Sequence, residues 1–247
     1  MTKRELSRCL LWCATIVAVI WPATSGCHVP HHEERFVVPN QKLGPMTIAV
    51  APAINLSGSA DFDRNRFADL MASELSYGAG ISVIPVSRVL TMLSARGMSG
   101  VESPSQALEL AKLLGANAVL VFSVTEYDPY EPPSIGITAQ LFGTRPGQGG
   151  GLDPIALSRS ASVTAESRRG ASKRVLAQTQ RVFDASHDAI VKDIRRFAAQ
   201  RDADDSPYGW KKYVVSQQAY VRYCCYATIR DLLNGWQNAD PADGVRD

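Results

Sequence analysis

Ala118-Val-Leu-Val-Phe-Ser-Val-Thr125 is a near-continuous apolar run with no period-two alternation. A strand that is apolar on both sides belongs in the middle of a sheet covered on both faces, as in parallel α/β sheets. The residues before it agree. Ser103 at the N-cap, Pro104 at the first helical position and Gln106 at the third form a capping box, followed by Leu108, Leu110, Ala111, Leu114 and a terminal Gly115. Further upstream, Met46-Thr-Ile-Ala-Val-Ala51, stopped by Pro52, and Ile81-Ser-Val-Ile-Pro-Val86 read as two more strands. Between them a polar loop from Asn55 leads to Asp61, and Phe67, Leu70, Met71 and Leu75 make one stripe of a helix ending before Gly78. Ser87 is expected to cap a helix with Val89, Leu90 and Leu93 inward and Gly97 at its end. Helices that alternate with strands in this way build βαβ units, so the first three strands are expected to be parallel.

Downstream the pattern changes. Ile135, Ile137, Ala139 and Leu141 alternate with Gly136, Thr138 and Gln140, which gives a strand with one apolar face. A Gly-rich stretch from Gly143 to Gly151 then leads to a second alternating segment, Ile155 to Thr164, and the two read as a hairpin with a long loop. Glu166 to Arg174 is polar and basic, Val175 to Phe183 reads as another strand, and Ser186 is expected to cap a helix with Ile190, Ile194, Phe197 and Ala198 inward. A long final helix is expected from about Trp210 to Leu233. Its Trp210, Tyr213, Tyr220, Val221, Cys224 and Leu232 recur at three- and four-residue spacing, as core, with a wide enough apolar arc to serve a neighbouring subunit as well.

The chain has 247 residues, 45% of them apolar and 20% charged, which excludes a mainly disordered protein. The 26 Lys and Arg against 24 Asp and Glu are unevenly placed. Lys3, Arg4 and Arg8, against Glu5, precede the uncharged run Cys9 to Trp21, whose thirteen residues match a secretory leader and fall short of the roughly 20 that span a bilayer. Pro22 and Ala23-Thr24-Ser25-Gly26-Cys27 follow. Small residues immediately before a Cys resemble a bacterial lipobox, with Thr24 where that pattern usually has Leu; this implies acylation and cleavage at Cys27. The same stretch also fits a plain signal peptide cut near Ser25 or Gly26, or an uncleaved anchor. Without residues 1–26 the chain carries 23 bases and 23 acids, so nothing in its charge points to a nucleic-acid partner.

Residues 27–45 read as a tether, with Pro30, Pro39 and Asn40 as punctuation. Its His28, His31, His32, Glu33 and Glu34 have no partner cluster at metal-ligand spacing, so no metal site is assigned. Cys224 and Cys225, the two cysteines left after Cys27, are adjacent on a helix, point about 100° apart and are expected as small buried residues. The Gly cluster opens no helix and lacks a following Lys-Ser/Thr, so it is no phosphate loop. His187 is expected as an exposed residue in the first turn of a helix. Asp61, Asp63, Glu126, Asp128 and Glu131 gather at loop ends without an arguable acid/base pair. The doublets Arg168-Arg169, Arg195-Arg196 and Lys211-Lys212 read as solvated faces, with an anionic partner as the functional alternative. No catalytic residue, cofactor or metal is therefore expected, and the chain is read as no enzyme.

Thr47 to Asn55, Phe67 to Leu75, Val83 to Val89, Ala107 to Leu120 and Val124-Thr-Glu-Tyr127 together resemble the CsgG-like superfamily of envelope lipoproteins, which includes the curli secretion channel, activators of peptidoglycan synthases and the TolB amino-terminal domain. The matching residues are core and turn positions and bring no catalytic residues with them. The resemblance covers roughly residues 46–141 and implies an α/β fold, a three-layer α/β/α sandwich on a mixed sheet; with the strands and helices read from the residues this gives about five strands over residues 46–200 and a helical C-terminal extension over 201–247. It further implies a lipid anchor at Cys27, a domain in the periplasm and, in several relatives, homo-oligomers. The function expected is that of a scaffold, regulator or accessory factor in secretion or envelope assembly, with an envelope protein as partner. The alternative is a subunit of a curli-type outer-membrane channel, to which residues 135–164 would contribute a hairpin. His28 is not the Asp that holds many enteric lipoproteins at the inner membrane, which favours the outer membrane.

Overall fold

The apolar run at Ala118 forms the middle of the structure. The computed structural model describes residues 45–144, 174–201 and 206–238. Strands β1 (Met46–Val50), β2 (Ile54–Asn55), β3 (Ile81–Ile84), β4 (Ala118–Asp128), β5 (Ser134–Gly143) and β6 (Val175–Asp184) make one mixed sheet in the order β3-β1-β4-β5-β6. β1 runs parallel to both β3 and β4, as expected, and β5 is antiparallel to β4 and β6. The two-residue β2 continues the path of β1 beyond Pro52. The Ala51 N–H still donates to Leu120 O at 2.9 Å, after which Ile54 pairs with Ser123.

The helices are α1 (Arg64–Leu75), α2 (Val86–Ala95), α3 (Pro104–Leu114), α4 (Asp188–Arg201), the four-residue α5 (Lys212–Val215) and α6 (Gln217–Asn238). One face of the sheet, with Ile48, Leu120, Phe122 and Ile137, packs against side chains of α1, α4 and α6. The other, with Ala49, Val119, Val121 and Phe142, packs against α2 and α3. The result is an α/β/α sandwich with a long C-terminal helix, and β4 is dry on both faces from Ala118 to Val124 because each is covered there.

Local chemistry sets the helix ends. Asp63 caps α1, its Oδ1 accepting from the N–H groups of Asn65 and Arg66 at 3.0 Å. Ser103 caps α3 as expected, its Oγ accepting from Gln106 N–H at 3.3 Å, while Gln106 Oε1 accepts from Glu102 N–H at 2.7 Å. Gly115 closes that helix at φ 67°. Two expected caps differ. Pro85 takes the N-cap position of α2, so Ser87 lies inside the first turn, where its carbonyl accepts from Thr91 Oγ1. Ser186 precedes α4 without capping it: its N–H is held by Asp184 Oδ1 at 2.8 Å, and the His187 carbonyl receives Ile190 and Val191.

Two larger expectations are corrected. β5 has β4 on one edge and β6 on the other, so it forms no hairpin with Ile155 to Thr164, a segment that lies outside the described residues. Alternation shows that a strand has two unlike faces and leaves its neighbours open. The final helix is also not continuous from Trp210. A 3-10 turn (Gly209–Lys211) and α5 end at Ser216, whose extended backbone (ψ 113°) redirects the chain, and its carbonyl accepts from Tyr220 N–H to start α6. The aromatic stripe is core, as expected: Tyr220 and Tyr223 are fully buried, and so are the free Cys224 and Cys225.

A register shift between Val124 and Glu126 leaves Thr125 unpaired opposite Gly136. A Cβ at position 136 would lie 2.6 Å from Thr125 Oγ1 and 3.3 Å from Glu126 N. Gly136→Ala is therefore expected to cost about 1–3 kcal/mol in urea unfolding through overpacking at this bulge.

Candidate functional site

The chain path places a crevice at one end of the sheet. The β1-to-β3 crossover passes through α1 on one face, whereas the β3-to-β4 crossover passes through α2 and α3 on the other. Such a reversal opens open α/β sheets at the carboxyl ends of the two diverging strands, here β1 and β4. The loop after β2 lies at that end, held by Asn55, whose Oδ1 accepts from Ser57 N–H and Oγ and whose Nδ2 donates to Ser59 O.

A cleft of about 110 Å³ opens there between α1, α6 and the end of β4. Its apolar wall is Phe67, Leu70 and Val221, backed by an aromatic cluster in which Phe62 stands edge-on to Tyr127 at 5.4 Å. Its rim carries Asp61, Asp63 and Arg66 from the α1 side and Gln217 and Gln218 from the first turn of α6. Arg66 Nη2 donates to Gln218 Oε1 at 2.6 Å, and Gln217 Nε2 donates to the Tyr127 hydroxyl. Burial pushes the Tyr127 phenol above its ordinary range, and the Asp61 carboxylate adds to this against the Gln217 hydrogen bond and the Arg66 charge. The hydroxyl is therefore a neutral donor as well as an acceptor.

The position of α6, and with it the rim, depends on two buried carboxylates. Asp193 on α4 receives Arg230 of α6 through two hydrogen bonds of 2.9 Å and the Tyr223 hydroxyl at 3.1 Å. Arg181 of β6 stands 3.9 Å away and pairs with Asp231 at 2.8 Å. Burial pushes the Asp193 carboxyl up. The Arg230 hydrogen bonds and charge, with Tyr223 and Arg181, outweigh it and hold the group below the usual range. Glu74 of α1, wholly inaccessible to solvent, meets Arg201 of α4 at 2.7 Å and Arg222 of α6 at 3.2 Å. Here burial wins over both arginines, and the carboxyl is raised. Arg201 also lies 4.1 Å over the Tyr77 ring.

These contacts place the residues singled out in the sequence. Of the five loop-end acids, Asp61 and Asp63 meet at the cleft, and Asp63 spends one oxygen on its cap. Glu126 instead accepts from Ser134 Oγ, and Asp128 accepts from Tyr130 N–H. His187 is exposed, 3.5 Å from Asp184. Arg195 and Arg196 are exposed, as expected of a solvated face, with Arg195 4.3 Å over the Trp210 ring and Arg196 3.4 Å from Asp193. Cys27, the tether histidines, residues 145–151 of the Gly cluster and Arg168-Arg169 lie outside the described residues. Among the described residues, no three His, Cys, Asp or Glu side chains gather in a way that would hold a metal ion, and no helix is long and apolar enough to cross a membrane. Tyr127, Arg66, Gln217 and Gln218 were not legible as one site, because their common cleft joins segments up to 152 residues apart.

No family model and no curated protein matches the chain. Solved structures similar to it include lipoprotein GNA1162 from Neisseria meningitidis, at 22% identity and TM-score 0.38 over 57% of this chain and 81% of that one. The LpoB C-terminal domain from Salmonella enterica is similar at 12% identity and TM-score 0.39, over 57% and 84%. A PelC dodecamer from Paraburkholderia phytofirmans is similar at 13% identity and TM-score 0.35, over 77% and 88%. At these scores no function passes from them to this chain.

The lowered Asp193 carboxyl sets a pH dependence. Its contribution is present above the ordinary carboxylate pKa of about 3.9 and is lost as pH falls through its lower folded value. Asp193→Ala is expected to cost about 3 kcal/mol at neutral pH, because it removes both short hydrogen bonds of the half-buried Arg230 and leaves it one carboxylate contact, with Asp231 at 3.3 Å. The difference from the parent protein should shrink on acidification below about pH 4, as urea midpoints across that range will show.

Proposed function

We propose that the protein is a non-enzymatic, lipid-anchored component of the bacterial cell envelope. Acyl chains on Cys27 hold it to the membrane, the outer one by preference, with the folded domain in the periplasm. There it acts as a scaffold, regulator or accessory factor in secretion or envelope assembly. The observation that carries this reading is the run Cys9 to Trp21, followed by small residues up to Cys27. Two acyl chains at about 0.8 kcal/mol per buried methylene make such attachment persistent.

The fold supports the non-enzymatic part through the use it makes of its polar groups. Asp193, Glu74, Arg181, Arg201 and Arg230 join helices to one another and to β6. Asp63 and Ser103 cap helices. The neutral charge balance after residue 26 shifts weight from long-range attraction to shape-specific contacts with a protein partner. The CsgG-like resemblance of the core positions agrees with this role. The alternative, a curli-type channel subunit, needs residues 135–141 in a membrane hairpin, whereas they are paired on both edges inside the sheet.

Cys27→Ala is expected to block leader processing and move the protein from the membrane to the soluble fraction, as read by fractionation and a mobility shift. Unchanged processing and fractionation would exclude the anchor. Liposome conductance together with a detergent-stable ring would replace the scaffold reading with the channel.

A further inference from the structure

The cleft between α1, α6 and the end of β4 has a chemistry that the anchoring and scaffold readings do not use. Its rim carries both signs of charge, Asp61 and Asp63 against Arg66. The two carboxylates outnumber the guanidinium, so an anion is repelled, while a cation drawn to them meets Arg66 on the same rim and gains little. What the rim offers in balance is hydrogen bonding. Gln217 uses an amide N–H on Tyr127 and keeps its oxygen; Gln218 uses its oxygen on Arg66 and keeps its amide N–H groups. The Tyr127 hydroxyl accepts from Gln217 and keeps its own proton to donate, and Asp61 adds two acceptor oxygens.

Below this rim the wall is apolar and aromatic, formed by Phe67, Leu70, Val221 and the Tyr127 ring. A matching ligand therefore has alternating hydroxyl donors and acceptors around its edge, an apolar C–H face and no charge. The volume of about 110 Å³ is well under the roughly 300 Å³ at which pockets enclose a whole drug-sized molecule, so the cleft holds one ring of something longer. We propose that this cleft binds a single sugar ring of a neutral glycan, with Tyr127, Gln217, Gln218 and Asp61 addressing its hydroxyl groups. The proposal does not rest on the lipid anchor: it is tested on purified protein, and either reading can fail alone.

The test is titration of the full chain in detergent with maltotetraose, cellotetraose and chitotetraose, followed by amide chemical shifts. At least one of the three is expected to give saturable shifts confined to residues 61–70, 127 and 217–221. Tyr127→Phe keeps the ring and removes one hydrogen bond, and is expected to weaken binding by up to about tenfold. Asp61→Asn removes charge and keeps the hydrogen-bonding shape, and is expected to cost less. A neutral-capped Gly-Arg-Gly peptide is expected not to bind. The proposal is overturned by the absence of saturable shifts with all three glycans, or by shifts that lie elsewhere or ignore Tyr127→Phe. Binding of the arginine peptide that disappears in Asp61→Asn would overturn it too, and would assign the cleft to a basic protein segment.

Discussion

The constraint on which the fold turns is that β4 has no wet face from Ala118 to Val124. Ala118, Leu120, Phe122 and Val124 point to one side and Val119 and Val121 to the other, all buried. At about 25 cal/mol per Å² of apolar surface removed from water, a strand of this kind is stable only with a helical layer on each side. The first layer comes locally, from α2 and α3, through the crossover that leads into β4. The second needs α1 from upstream and α6 from the far end of the chain, so the last helix completes the core that begins at Met46.

Bringing α6 onto the sheet buries charge as well as aromatic surface. Asp193 and Glu74 are costly to desolvate and are acceptable only because arginines from neighbouring elements reach them. Replacing such pairs by apolar side chains often leaves stability unchanged or raises it, so their value here is orientation. Each carboxylate joins particular helices, Asp193 to Arg230 across α4 and α6, Glu74 to Arg201 and Arg222 across α1, α4 and α6. The Tyr220 hydroxyl adds a third restraint by donating to Phe183 O of β6 at 2.9 Å. A purely apolar α6 would be free to rotate or slide on its wide hydrophobic arc; these polar contacts select one register.

What was readable in the sequence was local. The apolar run at Ala118, the Ser103 capping box and the stripe from Phe67 to Leu75 each report a side-chain period or a backbone donor in need of a partner within a few residues, and each is where expected. Pairing between distant segments leaves no such mark. Leu141 pairs with Ala177 rather than with a residue in the nearer alternating stretch, because period two fixes which face a side chain takes and is silent on which strand lies beside it. The break at Ser216 was hidden for a related reason: an unbroken apolar period runs through a residue whose backbone is extended. The ion pairs and the cleft are less visible still, since Glu74 and Arg201 are 127 residues apart and carry no shared pattern.

The same long-range contacts join stability to the site. The rim amides Gln217 and Gln218 stand on the first turn of α6, and their positions relative to Arg66 and Tyr127 depend on where that helix is clamped further along, at Arg222, Tyr223 and Arg230. One helical turn rises 5.4 Å, so a slip of a single turn along the sheet would carry both amides beyond hydrogen-bond reach of their partners. The direction change at Ser216 serves the same end: it starts α6 at Gln217, which puts both amides in the first turn of that helix, at the cleft. The carboxylates that look idle from the standpoint of chemistry are thus what gives the cleft a fixed shape.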